Sequence, residues 1–242
     1  MKRLHLSVRL AGLILLLPLL SARAADPQPL KVFFVGNSYT YGNDLPKLIA
    51  ELAKAGGQRP IEFEKHTPGG WSFKKHWEES KVADKIGAKK WDIVVLQNHS
   101  MGALAARDEM MEYGKKLAAE VQKQNARTIY FMTWARQNKP ETQADITKAY
   151  QELARDVKAE TAPVGLAWEA ALKADPKREL HVKDMSHPNK AGSYLAACVF
   201  YAVIYHKSPE GLPGKPADLT DEAAKPLQAI AWQVVQQQLK DK

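Results

Sequence analysis

The chain has 242 residues, 45% of them hydrophobic and 26% charged, with 14 glycines and 14 prolines; that composition excludes a disordered or collagen-like polypeptide and describes one domain or at most two small ones. A chain of this size buries roughly 70% of its unfolded surface, so a core needs neither disulfides nor a structural metal, and Cys198 is the single cysteine. Of the formal net charge of +8, four basic residues fall within the first 24 positions; the remainder carries 31 basic and 27 acidic side chains, a net +4 with the lysines set beside Glu and Asp. No basic stripe results, and nucleic acid is a poor partner.

The first 24 residues read as a secretory signal. Lys2, Arg3 and Arg9 form a positive region, Leu10 to Leu20 an apolar one, and Ala22-Arg23-Ala24 a small-residue cleavage site. The apolar run is too short for a comfortable membrane span and contains Pro18. The expectation is cleavage near Ala24, a secreted or periplasmic protein starting at Ala25, and no stable membrane insertion afterwards. No cysteine follows the cleavage site, which speaks against a bacterial lipid anchor.

Beyond the signal, β-rich apolar runs at Leu30 to Val35, Ile61 to Phe63, Ile93 to Leu96, Thr128 to Met132 and Pro163 to Leu166 alternate with helical periodicity. The helical stripes are Leu45, Leu48 and Leu52; Met110, Gly114, Leu117 and Val121; Ile146, Tyr150, Leu153 and Val157; and a last one of Leu227, Ile230 and Val234. Asp44 and Thr220 stand where helix N-caps are expected, and 207–219, rich in Pro and Gly, reads as a loop clamping the last helix to the body. Strands joined through helices run parallel and are covered on both faces. Residues 25–242 are therefore expected to form a single α/β domain, a three-layer α/β/α sandwich with a five-stranded, mainly parallel sheet.

In such a sheet a ligand site lies beyond the carboxyl ends of the strands. Those junctions hold Gly36-Asn37-Ser38-Tyr39-Thr40, Pro68-Gly69-Gly70-Trp71-Ser72 and Gln97-Asn98-His99-Ser100, and late in the chain stands Asp184-Met185-Ser186-His187-Pro188-Asn189. Each alone reads as a turn, a cap or a surface pair. Together they supply one chemistry. A serine hydroxyl needs a general base, which an imidazole provides, and the imidazole needs a carboxylate on its other nitrogen. Asp184, three residues before His187, can accept from Nδ1 and leave Nε2 aimed at Ser38. The oxyanion needs donors, available as the backbone N–H groups of Ser38 and Gly70 and a side-chain amide of Asn98. Spacing alone allows Gln97, Asn98 or His99 to face the site, and Gly69 competes with Gly70.

The set Gly36-Asn37-Ser38, Gly70-Trp71-Ser72, a polar block after the third strand and Asp184-x-x-His187-Pro188 resembles the SGNH hydrolases, or GDSL esterase/lipase superfamily, in order and over nearly the whole mature chain. The resemblance implies a flavodoxin-like SGNH hydrolase fold, Ser38 as nucleophile, His187 as base, Asp184 as its partner, and Gly70 and Asn98 in the oxyanion hole. Two blocks depart from the family. Gly-Asn-Ser replaces Gly-Asp-Ser, keeping a short hydrogen-bonding side chain at Asn37 without its charge, and the Gly-x-Asn-Asp of the third block is not spelled out in Leu96 to Ser100.

Neither metal-ligand spacings nor a glycine-rich phosphate loop occurs in the sequence. The expectation is a serine esterase that needs no cofactor and no metal, acting on a small-molecule or polysaccharide ester. Tyr39, Tyr41, Trp71 and Trp77 lie near the motif residues, and Tyr39 and Trp71 are candidate substrate contacts to an O-acetylated carbohydrate. A lipid ester or thioester, or a catalytically weak carbohydrate-binding module on the same fold, are the alternatives.

Overall fold

A computed structural model describes residues 28–240; the signal read from residues 1–24 lies outside them. Strands β1 (Leu30–Val35), β2 (Ile61–His66), β3 (Ile93–Leu96), β4 (Arg127–Phe131) and β5 (Glu160–Ala162) form one sheet in the order β2-β1-β3-β4-β5. All four neighbouring pairs are parallel. The helices are α1 (Ser38–Tyr41), α2 (Leu45–Ala55), α3 (Phe73–Glu79), α4 (Val82–Gly87), α5 (Gly102–Ala105), α6 (Arg107–Lys123), α7 (Gln143–Asp156), α8 (Val164–Ala174), α9 (Lys190–Tyr205) and α10 (Asp221–Lys240).

Two-sided burial explains the composition of the central strands. Val32 and Phe34 of β1 turn to one face with Ile93, Val95, Ile129 and Phe131, under α2, α8, α9 and α10. Phe33 and Val35 turn to the other with Val94, Leu96 and Tyr130, under α3, α4, α6 and α7. Each such side chain stabilises the fold by roughly 2 kcal/mol through burial. Edge strand β2 alternates Ile61 and Phe63 with exposed Glu62 and Glu64, charges that discourage pairing with a second sheet.

The order reverses between β1 and β3. The crossover from β1 leads outward to β2, and the next returns over β1 to β3, so the chain leaves their carboxyl ends toward opposite faces. This switch point opens a crevice, the place where ligands bind in open parallel sheets. Gly36-Asn37-Ser38 and Gln97-Asn98-His99 both emerge into it.

Helix α9 is apolar nearly all round, with Tyr194 to Ile204 buried, because it is covered by α2, α8 and α10 as well as the sheet. Burial pushes the Cys198 thiol within it up to about 12, which leaves an inert neutral group. The loop before α10 is fastened by Gln228, whose amide accepts from Gly211 N–H and donates to Leu212 O and Tyr194 Oη. Among the described residues no helix is long and apolar enough to cross a membrane.

Three local expectations are corrected. The fifth strand is Glu160–Ala162, and the run Pro163 to Leu166 instead opens α8; three strand residues beside a longer apolar run mask the boundary. Asp44 is left-handed and makes no side-chain cap bond, since its carboxylate turns to Lys65. Helices α3, α4 and α8 arise in segments whose short apolar patterns gave no clear helical stripe.

Candidate active site

The turn after β1 is built from buried polar groups. Asn37, 2% exposed, accepts from Tyr39 N–H at its Oδ1 (3.1 Å) and caps α1. Its Nδ2 donates to Trp71 O at 2.9 Å and Asn98 O at 3.3 Å. Its own N–H donates to Gln97 Oε1 at 2.8 Å, which also accepts from Thr40 Oγ1 at 2.9 Å. One amide thus ties the ends of three strand connections together, and the two carbonyls at Nδ2 require a donor that an aspartate would lack. Gly36 is fixed by close approach, because a Cβ there would lie 2.7 Å from Gln97 Oε1 and 2.4 Å from Thr40 Oγ1. From below, His76 Nε2–H donates to Gly36 O at 2.9 Å.

Asp184 and His187 sit on a tight hairpin leading into α9. His181 and Pro188 form an isolated antiparallel bridge, Val182 N–H donates to His187 O, and Asn189 N–H to Leu180 O. Asn189 then caps α9 through its Oδ1 and Gly192 N–H at 2.9 Å. Met185 takes a left-handed conformation at the tip (φ 60°), held by Gln137 N–H donating to its carbonyl. The flank is pinned by Ser186, whose Oγ lies 2.6 Å from Tyr39 Oη and whose carbonyl accepts from Trp134 Nε1–H at 3.0 Å. Behind it, Tyr39, Trp134 and Trp168 stack in a column with centroid spacings of 4.5 and 4.0 Å.

These two devices bring Ser38 Oγ to 2.8 Å from His187 Nε2, and His187 Nδ1 to 2.5 Å from Asp184 Oδ2. With Nδ1–H donating to the carboxylate, Nε2 is left to accept the serine proton. Asp184 Oδ1 accepts from the N–H groups of Ser186 and His187, both at 2.9 Å. Partial burial pushes this carboxyl up, but the His187 ring and the two backbone donors outweigh it and hold it at about 2. The His187 and Asp184 side chains are 43% and 48% exposed, so the arrangement opens directly onto the surface.

No family model matches the chain, and no curated protein matches its sequence. Among solved structures it is similar to a proposed SGNH hydrolase from Slackia heliotrinireducens, with a TM-score of 0.63 at 23% identity over 73% of this chain and 100% of that one. A DUF4886 family protein from Bacteroides uniformis gives 0.72 at 18% identity over 86% and 95%. An acetyl xylan esterase gives 0.61 at 21% identity over 72% and 100%. The chain has the SGNH hydrolase fold.

Other predicted site residues divide within this SGNH fold. Gly70, beside Trp71 whose carbonyl meets Asn37, has φ 71°, a left-handed position at which a side chain would strain the backbone. Its N–H, like that of Ser38, donates to no group among the described residues. Asn98 is anchored through its carbonyl oxygen. It is 1% exposed, its Oδ1 accepts from Phe73 N–H at 2.8 Å, and its Nδ2 lies so close to Gly102 that any Cβ there would collide with it. Its amide oxygen thus fixes the start of α3, while its Nδ2 donates to no group among the described residues.

Tyr39 is corrected as a substrate contact. It is 2% exposed and its ring lies edge-on to His187 at 5.4 Å, a support for the imidazole. Burial raises its phenol, against partial lowering by Ser186 and Ser100. Trp71 is partly buried, its ring edge-on to His66 at 5.9 Å and His76 at 5.4 Å, with its carbonyl held by Asn37. Sequence reading missed Trp134, distant in the chain and without a motif, and Val182 and Met185, which like Tyr41 are each more than 40% exposed.

Proposed function

We propose that the protein is a serine esterase working through an acyl-enzyme. The observation that carries the reading is the unbroken line from Ser38 Oγ through the His187 ring to Asp184 Oδ2, at 2.8 and 2.5 Å. Ser38 Oγ attacks the ester carbonyl while His187 Nε2 takes its proton, and the same proton then passes to the departing alcohol. Water, deprotonated by His187, attacks the acyl-serine and releases the acid. Asp184 stays ionised throughout, holding the ring in the required tautomer and balancing the imidazolium charge. The N–H groups of Ser38 and Gly70 stabilise the oxyanion.

The favoured substrate class is an O-acetylated saccharide. The surface-exposed His187 and Asp184 favour access by a bulky chain, and two of the structural neighbours are named as acetyl xylan and acetyl-xylooligosaccharide esterases. Export with cleavage near Ala24 completes the reading, and N-terminal sequencing of the exported product should begin at Ala25. The enzymatic test is hydrolysis of p-nitrophenyl acetate by the protein and by folded Ser38→Ala. Turnover by the former alone, undiminished by EDTA, is the expected result; equal background rates would reject the esterase. Acetylated xylo-oligosaccharides should be preferred over long-chain acyl esters, and the reverse preference would reject the substrate class.

A further inference from the structure

Of the four large apolar side chains exposed among the described residues, Tyr41, Val182, Met185 and Leu239, three belong to the two segments that carry Ser38 and His187. Tyr41 follows Ser38 by three residues on the single turn of α1, so the two side chains neighbour one another on one helix face. Val182 and Met185 lie on either side of Asp184 in the hairpin. Scattered apolar residues are ordinary on a protein surface; a group of them around one reactive pair marks a contact surface.

Tyr41 is set between the two halves of the site. A Cβ at Gly69 would lie 3.5 Å from its Oη, so the ring reaches the Gly69-Gly70 turn, and the hydroxyl bonds to no group among the described residues. The residues after it touch the hairpin: a Cβ at Gly42 would lie 3.8 Å from Pro188 Cγ, and Asn43 Nδ2 donates to Pro188 O at 3.1 Å. Met185 is the more telling side chain. Its φ of 60° costs free energy in a residue with a Cβ, and the other non-glycine residues with positive φ among the described residues are Asn, Asp, Lys or His. Its backbone is held there from both sides, by N–H donating to Val182 O at 3.0 Å and by Gln137 N–H donating to its carbonyl at 2.9 Å. Glycine would take that conformation without strain. A methionine kept in it with its side chain facing solvent has a use for that side chain outside the core.

The chemistry says which half of an ester meets these groups. The acyl carbon is attacked by Ser38 Oγ, and as the bond to the alcohol oxygen breaks, that oxygen must lie within reach of His187 Nε2 to receive the proton. His187, Val182 and Met185 share one hairpin, so the rest of the alcohol emerges beside them. We infer that Tyr41, Val182 and Met185 are the specificity-determining contacts for the alcohol half of the substrate and take the C–H face of a sugar ring. This deepens the esterase reading and rests on it. A sugar ring is polar at its edge and apolar on its faces, so it can lay a face on an aromatic ring or a thioether and keep its hydroxyls in water. Tyr41 thereby takes the role that the buried Tyr39 cannot.

The test holds the acetyl group constant and varies the alcohol. It compares kcat and KM on methyl acetate and on an acetylated xylo-oligosaccharide for wild type, Tyr41→Ala, Tyr41→Phe and Met185→Gly, with thermal unfolding of each. Tyr41→Ala and Met185→Gly should lose about tenfold or more in kcat/KM on the saccharide, mainly through KM, and at least about fivefold less than that on methyl acetate. Tyr41→Phe, which keeps the ring, should stay within about threefold of wild type on both; a loss as large as that of Tyr41→Ala would contradict a ring contact. Met185→Gly should unfold at a Tm no lower than wild type, because glycine accepts a φ of 60°. Losses that are equal on the two esters, or that track a lower Tm, would overturn the assignment. So would losses that grow instead with acyl length from p-nitrophenyl acetate to p-nitrophenyl octanoate, the sign of an acyl-chain site. A wild type that hydrolyses the saccharide no better than methyl acetate would do the same while leaving the esterase reading intact. A wild type no faster than Ser38→Ala on any of these esters would overturn the esterase reading and, with it, this one.

Discussion

The two halves of the candidate site are held in contrasting ways. The nucleophile turn is a buried polar knot in which Asn37, Gln97 and Asn98 satisfy one another and the backbone around them. The acid–base hairpin is half exposed and depends on a few directed bonds, from Trp134, Tyr39 and Gln137, and on the stiff start of α9. A buried network is costly to break at any member, because a partner is left unsatisfied. An exposed hairpin can lose a reactive side chain without much loss of stability. The nucleophile side should therefore couple activity to stability, and the base side should separate them.

The largest expected effect lies on the hairpin. His187→Ala should lower kcat by about 10⁴-fold or more and leave the Tm nearly unchanged; unfolding in parallel with the loss would erase the contrast. Asp184, held at about 2, remains ionised across an ordinary assay range. The acid limb of the kcat/KM profile should accordingly include no proton on Asp184 and follow one proton at most. A two-proton limb would show that the carboxylate titrates too.

On the nucleophile side, Asn37→Asp, although it creates the Gly-Asp-Ser usual in the SGNH hydrolases that the motif resembles, should be harmful. The carboxylate would face Trp71 O and Asn98 O without a proton to donate, a cost of about 3 kcal/mol or more in a buried site. Chemical denaturation should show the loss together with a loss of activity, and a stable, active variant would contradict the network account.

His76 supplies a pH signature for the same side. It is 0% exposed, and burial, only partly offset by the bond to Gly36 O, lowers it to about 4. The folded value lies below the unfolded one, so the contribution is complete above about pH 6.5 and declines as pH falls from there toward 4. Unfolding free energy should drop by about 3 kcal/mol over that window, less so in His76→Gln.

The smallest expected effect is Trp134→Phe. It retains an aromatic ring between Tyr39 and Trp168 but deletes the bond to Ser186 O. About 1 kcal/mol of stability and about tenfold in kcat should be lost, readable by thermal unfolding and steady-state kinetics. A larger loss of stability than of activity would reassign the column to the core.

Much of the fold was legible because the sheet is buried on both faces: Val32 to Val35 of β1 and all of β3 are uninterrupted apolar runs, and α2, α6 and α7 carry clear stripes. The fifth strand was misplaced because Glu160 to Ala162 is short and its apolar neighbours belong to a helix. Within the site, residues carrying a motif or lying at a strand end could be singled out. Which way each side chain turns could not, because Asn98 and Tyr39 are decided by long-range partners, Phe73 N–H for one and Trp134 and Ser186 for the other. Trp134 itself has no local signature; it matters through a stack whose members lie far apart in the chain.

The central claim is that Ser38 is a nucleophile activated by His187. Its most direct test is stoichiometric labelling with a fluorophosphonate ester, read by intact mass and by mass spectrometry of the peptides. The account requires one adduct per chain, on Ser38, absent in Ser38→Ala and strongly slowed in His187→Ala. An adduct on another residue, or none from a preparation that hydrolyses esters, would contradict it.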